Sequence, residues 1–153
     1  MKRHPAWLAA ALFLFVVLAC NLGSLKNRNE TSKNANESTA KSGIYVAELH
    51  MAKDNNGEPG DETETFSPGD RTIHCVAKLN SSKSGTKINF AWWVVEAEGS
   101  KNDKIKDIDY TTNALENVVH AHLTLPRDWP QGKYKCEVSV NGNLDKSVEY
   151  TVE

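Results

Sequence analysis

Three residues at wide spacing limit what this chain can fold into more than any other feature of its sequence. Cys75 lies in a run of alternating apolar and polar side chains, residues 72–79, and Cys136 lies in a second such run far downstream. Between them, residues 90–95 form a strongly apolar segment that contains Trp92. Alternation at a period of two predicts β-strands that bury one face in a core. We therefore expect these runs to be strands of an all-β domain, with Cys75, Trp92 and Cys136 on their buried faces.

The order of Cys75, then Trp92, then Tyr134-Lys135-Cys136 is the spacing by which immunoglobulin sandwiches are recognised. On these residues, the segment 43–153 resembles the immunoglobulin-like β-sandwich family. The resemblance implies two packed sheets of about seven or eight antiparallel strands. It also implies that Trp92 packs on a disulfide, and that Tyr134 forms a tyrosine corner whose hydroxyl bonds to nearby backbone.

The first 19 residues have the pattern of an export signal. A basic start, Lys2-Arg3, precedes an apolar run from Trp7 to Leu18 that is too short to span a membrane stably. The run ends in Val17-Leu18-Ala19-Cys20, which resembles the lipobox of bacterial lipoproteins. This resemblance implies cleavage before Cys20 and a lipid anchor there, with acyl chains such as palmitate. An ordinary signal peptide with a cysteine near its end is the alternative.

If Cys20 carries lipid, the remaining two cysteines form an even pair. An exported protein matures where disulfides persist, so we predict a bond between Cys75 and Cys136, with two buried free thiols as the alternative. Closing a loop of about sixty residues would stabilise the fold by roughly 2–5 kcal/mol.

The domain organisation follows from these segments. We predict a lipoprotein signal peptide at 1–19, a lipidated cysteine with a disordered tether at 20–42, and the immunoglobulin-like domain at 43–153. The tether is rich in Asn, Ser, Lys, Glu and Thr, so it cannot bury enough apolar surface to become ordered. Its root-mean-square reach is roughly 25 Å.

Charge and motifs exclude several classes of function. Removing Lys2 and Arg3 with the leader leaves 16 basic and 20 acidic side chains, a net charge of −4. This balance predicts neither a nucleic-acid partner nor attraction to anionic lipid.

The sequence contains no Gly-rich phosphate loop and no nucleophile elbow, so we predict that the protein is not an enzyme and needs no cofactor. Residues 54–62 lack the spacing of an EF-hand and predict a solvated acidic loop.

Trp93 is the best single indication of a binding surface. If Trp92 faces the core, its neighbour Trp93 faces away, flanked by Ala91 and Val95 in an apolar strip. Exposed aromatic patches often mark contact surfaces, so Trp93 and Val95 are the predicted binding face. The alternative is that residues 98–117, which we expect to contain a charged loop at 99–106, fold over Trp93 and bury it.

Three histidines form a second candidate site. His120 and His122 are two apart and project from the same face of one strand, and His74 faces outward on the Cys75 strand, with which that strand pairs in this fold family. Three imidazoles on one outer face could bind Cu or Zn. Unrelated surface histidines are the alternative, since one slipped residue would separate them.

The sequence thus predicts a non-catalytic lipoprotein that is lipid-anchored to a membrane of the cell envelope, expected at the outer membrane on its periplasmic or surface face. Its domain would bind a protein or an envelope polymer through the face of Trp93 and Val95. One rival is the metal-binding protein of His74, His120 and His122. The other is an inhibitor of proteases, which requires the loops near 83–86 and 129–130 to lie at one end. A purely structural spacer also stays open.

Overall fold

Alternating side chains form nine β-strands in the computed structural model, which describes residues 42–153. The strands are β1 (Val46–Asn55), β2 (Glu58–Glu62), β3 (Thr65–Phe66), β4 (Thr72–Leu79), β5 (Lys87–Ala97), β6 (Ser100–Thr111), β7 (Val118–Thr124), β8 (Gly132–Val140) and β9 (Asn143–Val152). Within this part of the chain, no helix has the length and apolar character needed to cross a membrane. The predicted signal peptide, the lipidated Cys20 and the tether up to residue 41 lie outside the described residues.

The strands form two sheets. One has four strands in the order β2-β1-β4-β7, and the other has five in the order β3-β9-β8-β5-β6. Neighbouring strands pair antiparallel, except that the short β3 runs parallel to β9. The predicted all-β sandwich of two sheets is confirmed.

The core contains the residues that the spacing had indicated. Cys75, Trp92 and Cys136 are each 0% exposed, and Trp92 lies directly opposite Cys136 in the ladder between β5 and β8. Both cysteines are free thiols in the structure, and the predicted bond between them stays a prediction. Burial raises the pKa of the Cys136 thiol well above its usual range, and a hydrogen bond with Cys75 acts in the same direction.

The turn before β8 is held by two buried aromatic side chains. Tyr134 donates its hydroxyl hydrogen to the carbonyl oxygen of Pro130 at 2.7 Å, as expected for a tyrosine corner. Trp129 donates from Nε1 to the carbonyl oxygen of Arg71 at 3.0 Å, and its ring meets that of Tyr134 edge-on. Since Arg71 precedes β4, these contacts connect the two sheets at this end of the sandwich.

Two segments that were expected to be loops are strands. The acidic segment 54–62 continues β1 and returns as β2, around Asn56 and Gly57 with φ of 56° and 93°. Two central residues with positive φ form the type I′ turn that Asn-Gly favours, so the prediction of a loop was wrong. In the segment 99–106, Gly99 lies in a turn and the other residues belong to β6, which pairs with β5 along almost its whole length.

β6 is also an edge of the five-stranded sheet, and its outer ladder is unpaired among the described strands. Charged side chains occupy half of its twelve residues. These are Lys101, Asp103, Lys104, Lys106, Asp107 and Asp109. Such a strand makes backbone hydrogen bonds on one side only, and its charged side chains border the unpaired side.

Candidate functional site

Trp93 lies on the outer face of the five-stranded sheet, as the alternation along β5 predicted. Its ring is half-buried, while the preceding Trp92 is buried completely on the opposite face. The Nζ atoms of Lys104 and Lys135 lie 4.9 Å and 5.4 Å from the centre of the Trp93 ring. Ammonium groups at this distance are attracted to the negative face of an indole. We call Trp93, Lys104 and Lys135 the tryptophan face.

Strand register puts both lysines beside Trp93. Lys104 is its partner on β6, and Lys135 is its partner on β8. Each ammonium also pairs with a carboxylate, Lys104 with Asp107 at 3.1 Å and Lys135 with Glu137. The four charged side chains beside the indole of Trp93 therefore carry no net charge. Because β6 lies beside β5 in the same sheet, the backbone of residues 100–111 does not cross over the ring. The alternative that residues 98–117 bury Trp93 is met in part, since Lys104 lies over the ring and Nε1 of Trp93 is buried.

The predicted apolar strip along β5 does not extend beyond Trp93. Ala91 is 7% exposed, so it contributes little surface. The ladder with β8 shifts register between Val94 and Glu96, and Val95 is the additional residue at this bulge. Val95 is half-buried. The prediction that Val95 continues a regular apolar strip was wrong because a bulge interrupts the period of two.

His74, His120 and His122 lie together on the outer face of the four-stranded sheet; we call them the histidine cluster. β4 and β7 pair so that His74 is opposite His122 and Val76 is opposite His120. The centre of the His74 ring lies 5.2 Å from that of His122 and 5.6 Å from that of His120. The strand pairing expected from the resemblance is thus present, and its register brings the three rings together.

The hairpin of β1 and β2 contributes two carboxylates to the histidine cluster. Asp54 lies 2.8 Å through Oδ1 from Nε2 of His74, and Glu58 lies 3.6 Å through Oε2 from Nε2 of His120. His74 is completely buried, contrary to the expectation of three surface histidines. The expectation was wrong because it treated residues 54–62 as a free loop.

These contacts shift the ionisation of the cluster. The hydrogen bond with His74 lowers the pKa of Asp54, which favours the carboxylate. Burial lowers the pKa of His120, and the neighbouring His74 adds to the effect. His120 therefore favours the neutral imidazole, in which one ring nitrogen carries a free lone pair.

Sequence reasoning missed Asp54, Glu58, Lys104 and a fourth histidine, His50. His50 lies opposite Val76 on β1, so it shares the outer face without a ring contact to the cluster. The Asn56-Gly57 pair was the available signal for the hairpin that carries Asp54 and Glu58. Within residues 42–153, no three His, Cys, Asp or Glu side chains are arranged to hold a metal ion together.

The two loops required by the protease-inhibitor hypothesis lie at opposite ends of the sandwich. Residues 83–86 precede Lys87 at the beginning of β5, whereas residues 129–130 precede Gly132, which pairs with Ala97 at the end of β5. The expectation that these loops cluster was wrong. They form no joint surface, so the inhibitor hypothesis loses its geometric basis.

Comparisons with known proteins identify the fold. No protein-family model matches the chain, and no curated protein matches it. An immunoglobulin-like protein from Pseudomonas aeruginosa matches 74% of this chain and 99% of its own, with a TM-score of 0.51 and 8% identity. At this identity the similarity shows the immunoglobulin-like fold alone.

Two larger proteins match over a part of their length. An alkylpurine DNA glycosylase from Pseudomonas fluorescens, solved with DNA containing an abasic-site analogue, has a TM-score of 0.44 and 16% identity, covering 72% of this chain and 30% of its own. A beta-glucosidase from Listeria innocua, solved with isofagomine, has a TM-score of 0.42 and 19% identity, covering 69% and 16%.

Proposed function

We propose that this protein is a non-catalytic lipoprotein of the cell envelope whose immunoglobulin-like domain binds a protein or an envelope polymer through the tryptophan face. One observation carries the proposal: Trp93 lies outside the core, on the open side of the five-stranded sheet, between the ammonium groups of Lys104 and Lys135. The exposed part of this half-buried ring is available to contact a partner.

The surroundings of Trp93 suit an interface. Tryptophan is enriched among the residues that carry most of the binding energy at protein surfaces. Because Lys104 and Lys135 are already paired with carboxylates, the surface around the indole is balanced in charge. Such a surface favours partners that pack on the indole over highly charged ones such as nucleic acid. Paired strands on both sides of β5 hold Trp93 in place, so little order is lost on binding.

The lipid anchor at Cys20 and the location in the envelope belong to the same proposal. Their support is the lipobox-like end of the leader, Val17-Leu18-Ala19-Cys20. The anchor would supply the location, while the tether of residues 20–42 would allow the domain to search the surface nearby. The partner is then a component of the envelope, and the domain meets it by surface complementarity.

Replacing Trp93 with alanine is expected to weaken binding to the envelope at least tenfold, because the indole provides the central contact. The measurement is co-sedimentation with isolated envelopes, before and after protease treatment of the envelopes. The purified full chain carries Cys20→Ser, so that no lipid anchor retains it. Retention after proteolysis indicates a polymer partner, and loss of retention indicates a protein partner.

Leu144→Ala is the matched control, because Leu144 is 62% exposed in the β8–β9 hairpin and lies outside the tryptophan face. It should bind like the wild-type protein. Equal binding by Trp93→Ala and Leu144→Ala would contradict the proposed face.

Intact mass of the protein from the membrane fraction of its native cells should show acylation at Cys20 and a deficit of two hydrogens. The deficit corresponds to a bond between Cys75 and Cys136, which are adjacent buried thiols in the structure. The oxidised domain should be more stable than the reduced one by roughly 2–5 kcal/mol in chemical denaturation. An unmodified mass with two free thiols would contradict both the anchor and the disulfide.

A further inference from the structure

We propose that the histidine cluster, His74, His120 and His122, binds one divalent transition-metal ion, Zn²⁺ or Cu²⁺. Neutral imidazole is a ligand that both metals accept, and three imidazoles with an open fourth position form a known type of zinc site. Hard cations such as Ca²⁺ and Mg²⁺ prefer oxygen ligands, so they do not suit this cluster.

The first argument is the spacing of the rings. Two imidazoles on a tetrahedral ion, each with a metal–nitrogen distance of about 2.0–2.1 Å, have their ring centres roughly 5 Å apart. In the structure the His74 ring is 5.2 Å from His122 and 5.6 Å from His120. Pairing between β4 and β7 therefore sets this separation between His74 and each of the other two rings.

The second argument concerns which ring nitrogens are free. Nε2 of His74 lies 2.8 Å from the carboxylate of Asp54, which can only accept a hydrogen bond, so the ring donates from Nε2. The other nitrogen, Nδ1, is buried and has no hydrogen-bond partner among residues 42–153. Buried polar atoms normally have a hydrogen-bond partner. Four other side-chain atoms among the described residues also lack one, and Nδ1 of the neighbouring His120 is one of them. A bound metal ion would give Nδ1 of His74 a partner.

His120 has a looser form of this arrangement, because its carboxylate partner lies at an ion-pair distance that is too long for a hydrogen bond. Its Nε2 faces the carboxylate of Glu58 at 3.6 Å, and its Nδ1 is buried without a partner in the described part of the chain. Metal-binding histidines usually donate their other ring N–H to a carboxylate, which fixes the ring and makes the ligand nitrogen more basic. Asp54 and Glu58 therefore occupy the positions of supporting carboxylates, and the Nδ1 atoms of His74 and His120 occupy the positions of ligands.

The third ligand would come from His122, which is exposed and so has room to rotate. The cluster is open on this side, because His120 and His122 line a groove of about 380 Å³ together with Lys106, Ile108 and Tyr110. An ion can enter by this groove. Rotation of His122 completes the site, which the three rings do not form in their present orientations.

The test is calorimetric titration of zinc sulfate, and separately of copper sulfate, into the purified full chain without a polyhistidine tag. We expect one ion per chain for at least one of the two metals. His122→Gln should lower the affinity at least tenfold, and His120→Gln combined with His122→Gln should abolish stoichiometric binding. Because His122 is exposed, its replacement leaves the core intact, and circular dichroism of each variant checks the fold.

His50→Gln is the matched control, since His50 lies on the same face outside the cluster, and it should bind the metal like the wild-type protein. Failure of both metals to bind would overturn the proposal. Equal binding by the wild-type protein and the double variant would overturn it as well. With Cu²⁺, nitrogen hyperfine splitting in the electron paramagnetic resonance spectrum should diminish in His122→Gln.

Discussion

Replacing Gly132 with alanine will destabilise the domain by about 3–4 kcal/mol, somewhat more than overpacking normally costs. Gly132 begins β8 opposite Ala97, where β5 ends. A Cβ atom at this position would lie 2.5 Å from Cβ of Ala97 and would also collide with the carbonyl oxygen of Glu96. Both obstacles belong to a paired strand, so relief requires that the ladder between β5 and β8 opens. Urea denaturation of the two proteins measures the loss.

Gly69→Ala is the matched control for this prediction. Gly69 lies in the turn before β4, has no positive φ, and a Cβ there would meet nothing within 4 Å. Its replacement should change the free energy of unfolding by less than about 0.5 kcal/mol. A small effect of Gly132→Ala, comparable to that of Gly69→Ala, would show that β5 and β8 approach each other less closely than the structure has it.

Trp92→Ala is expected to cost about 3–5 kcal/mol of stability, the range for removing a large aromatic side chain from a core. Trp92 is 0% exposed, meets Tyr150 edge-on and lies beside Cys136 in the ladder. The cavity left by the indole would lie at the centre of the core, where paired strands cannot move in to fill it. Thermal and urea unfolding give the loss.

The neighbouring residue supplies the comparison. Trp93→Ala removes the same side chain from the outer face, where the ring is half-buried and contacts Lys104 and Lys135. It should cost only about 1 kcal/mol, because cation–π contacts at exposed sites contribute about 0.5–1 kcal/mol. Similar losses for the two tryptophans would mean that the assignment of inner and outer faces along β5 is wrong.

The central strands could be predicted from the sequence because their burial is periodic. In β8, every second residue from Tyr134 to Val140 is buried, so the period of two is visible in the chain itself. The same argument placed Trp92 inside and Trp93 outside. The pairing of β4 with β7 came from the resemblance to immunoglobulin-like sandwiches, and it placed the histidines on one face.

The edge strand β6, the β1–β2 hairpin and the distances within the histidine cluster could not be predicted from the pattern of side chains. In β6 only Ile108 and Tyr110, which pack against the core, alternate with polar residues, and the rest of this edge strand is stabilised mainly by its backbone ladder with β5. The β1–β2 hairpin is polar for a similar reason, so Asp54 and Glu58 could not be assigned to His74 and His120. The distances within the histidine cluster depend on register, and a slip of one residue would have separated His74 from His122.

The charged edge strand β6 has a consequence for how copies of this protein behave beside one another. Twelve residues of open ladder would otherwise be a template on which the edge of a second copy could continue the sheet. A second β6 laid alongside would have to bring rows of lysines and aspartates together and remove water from them, which is costly. Molecules at high local concentration would therefore stay separate units and would not polymerise into fibres. Because β6 borders Trp93, its charged side chains also prevent a second copy from covering the surface around Trp93.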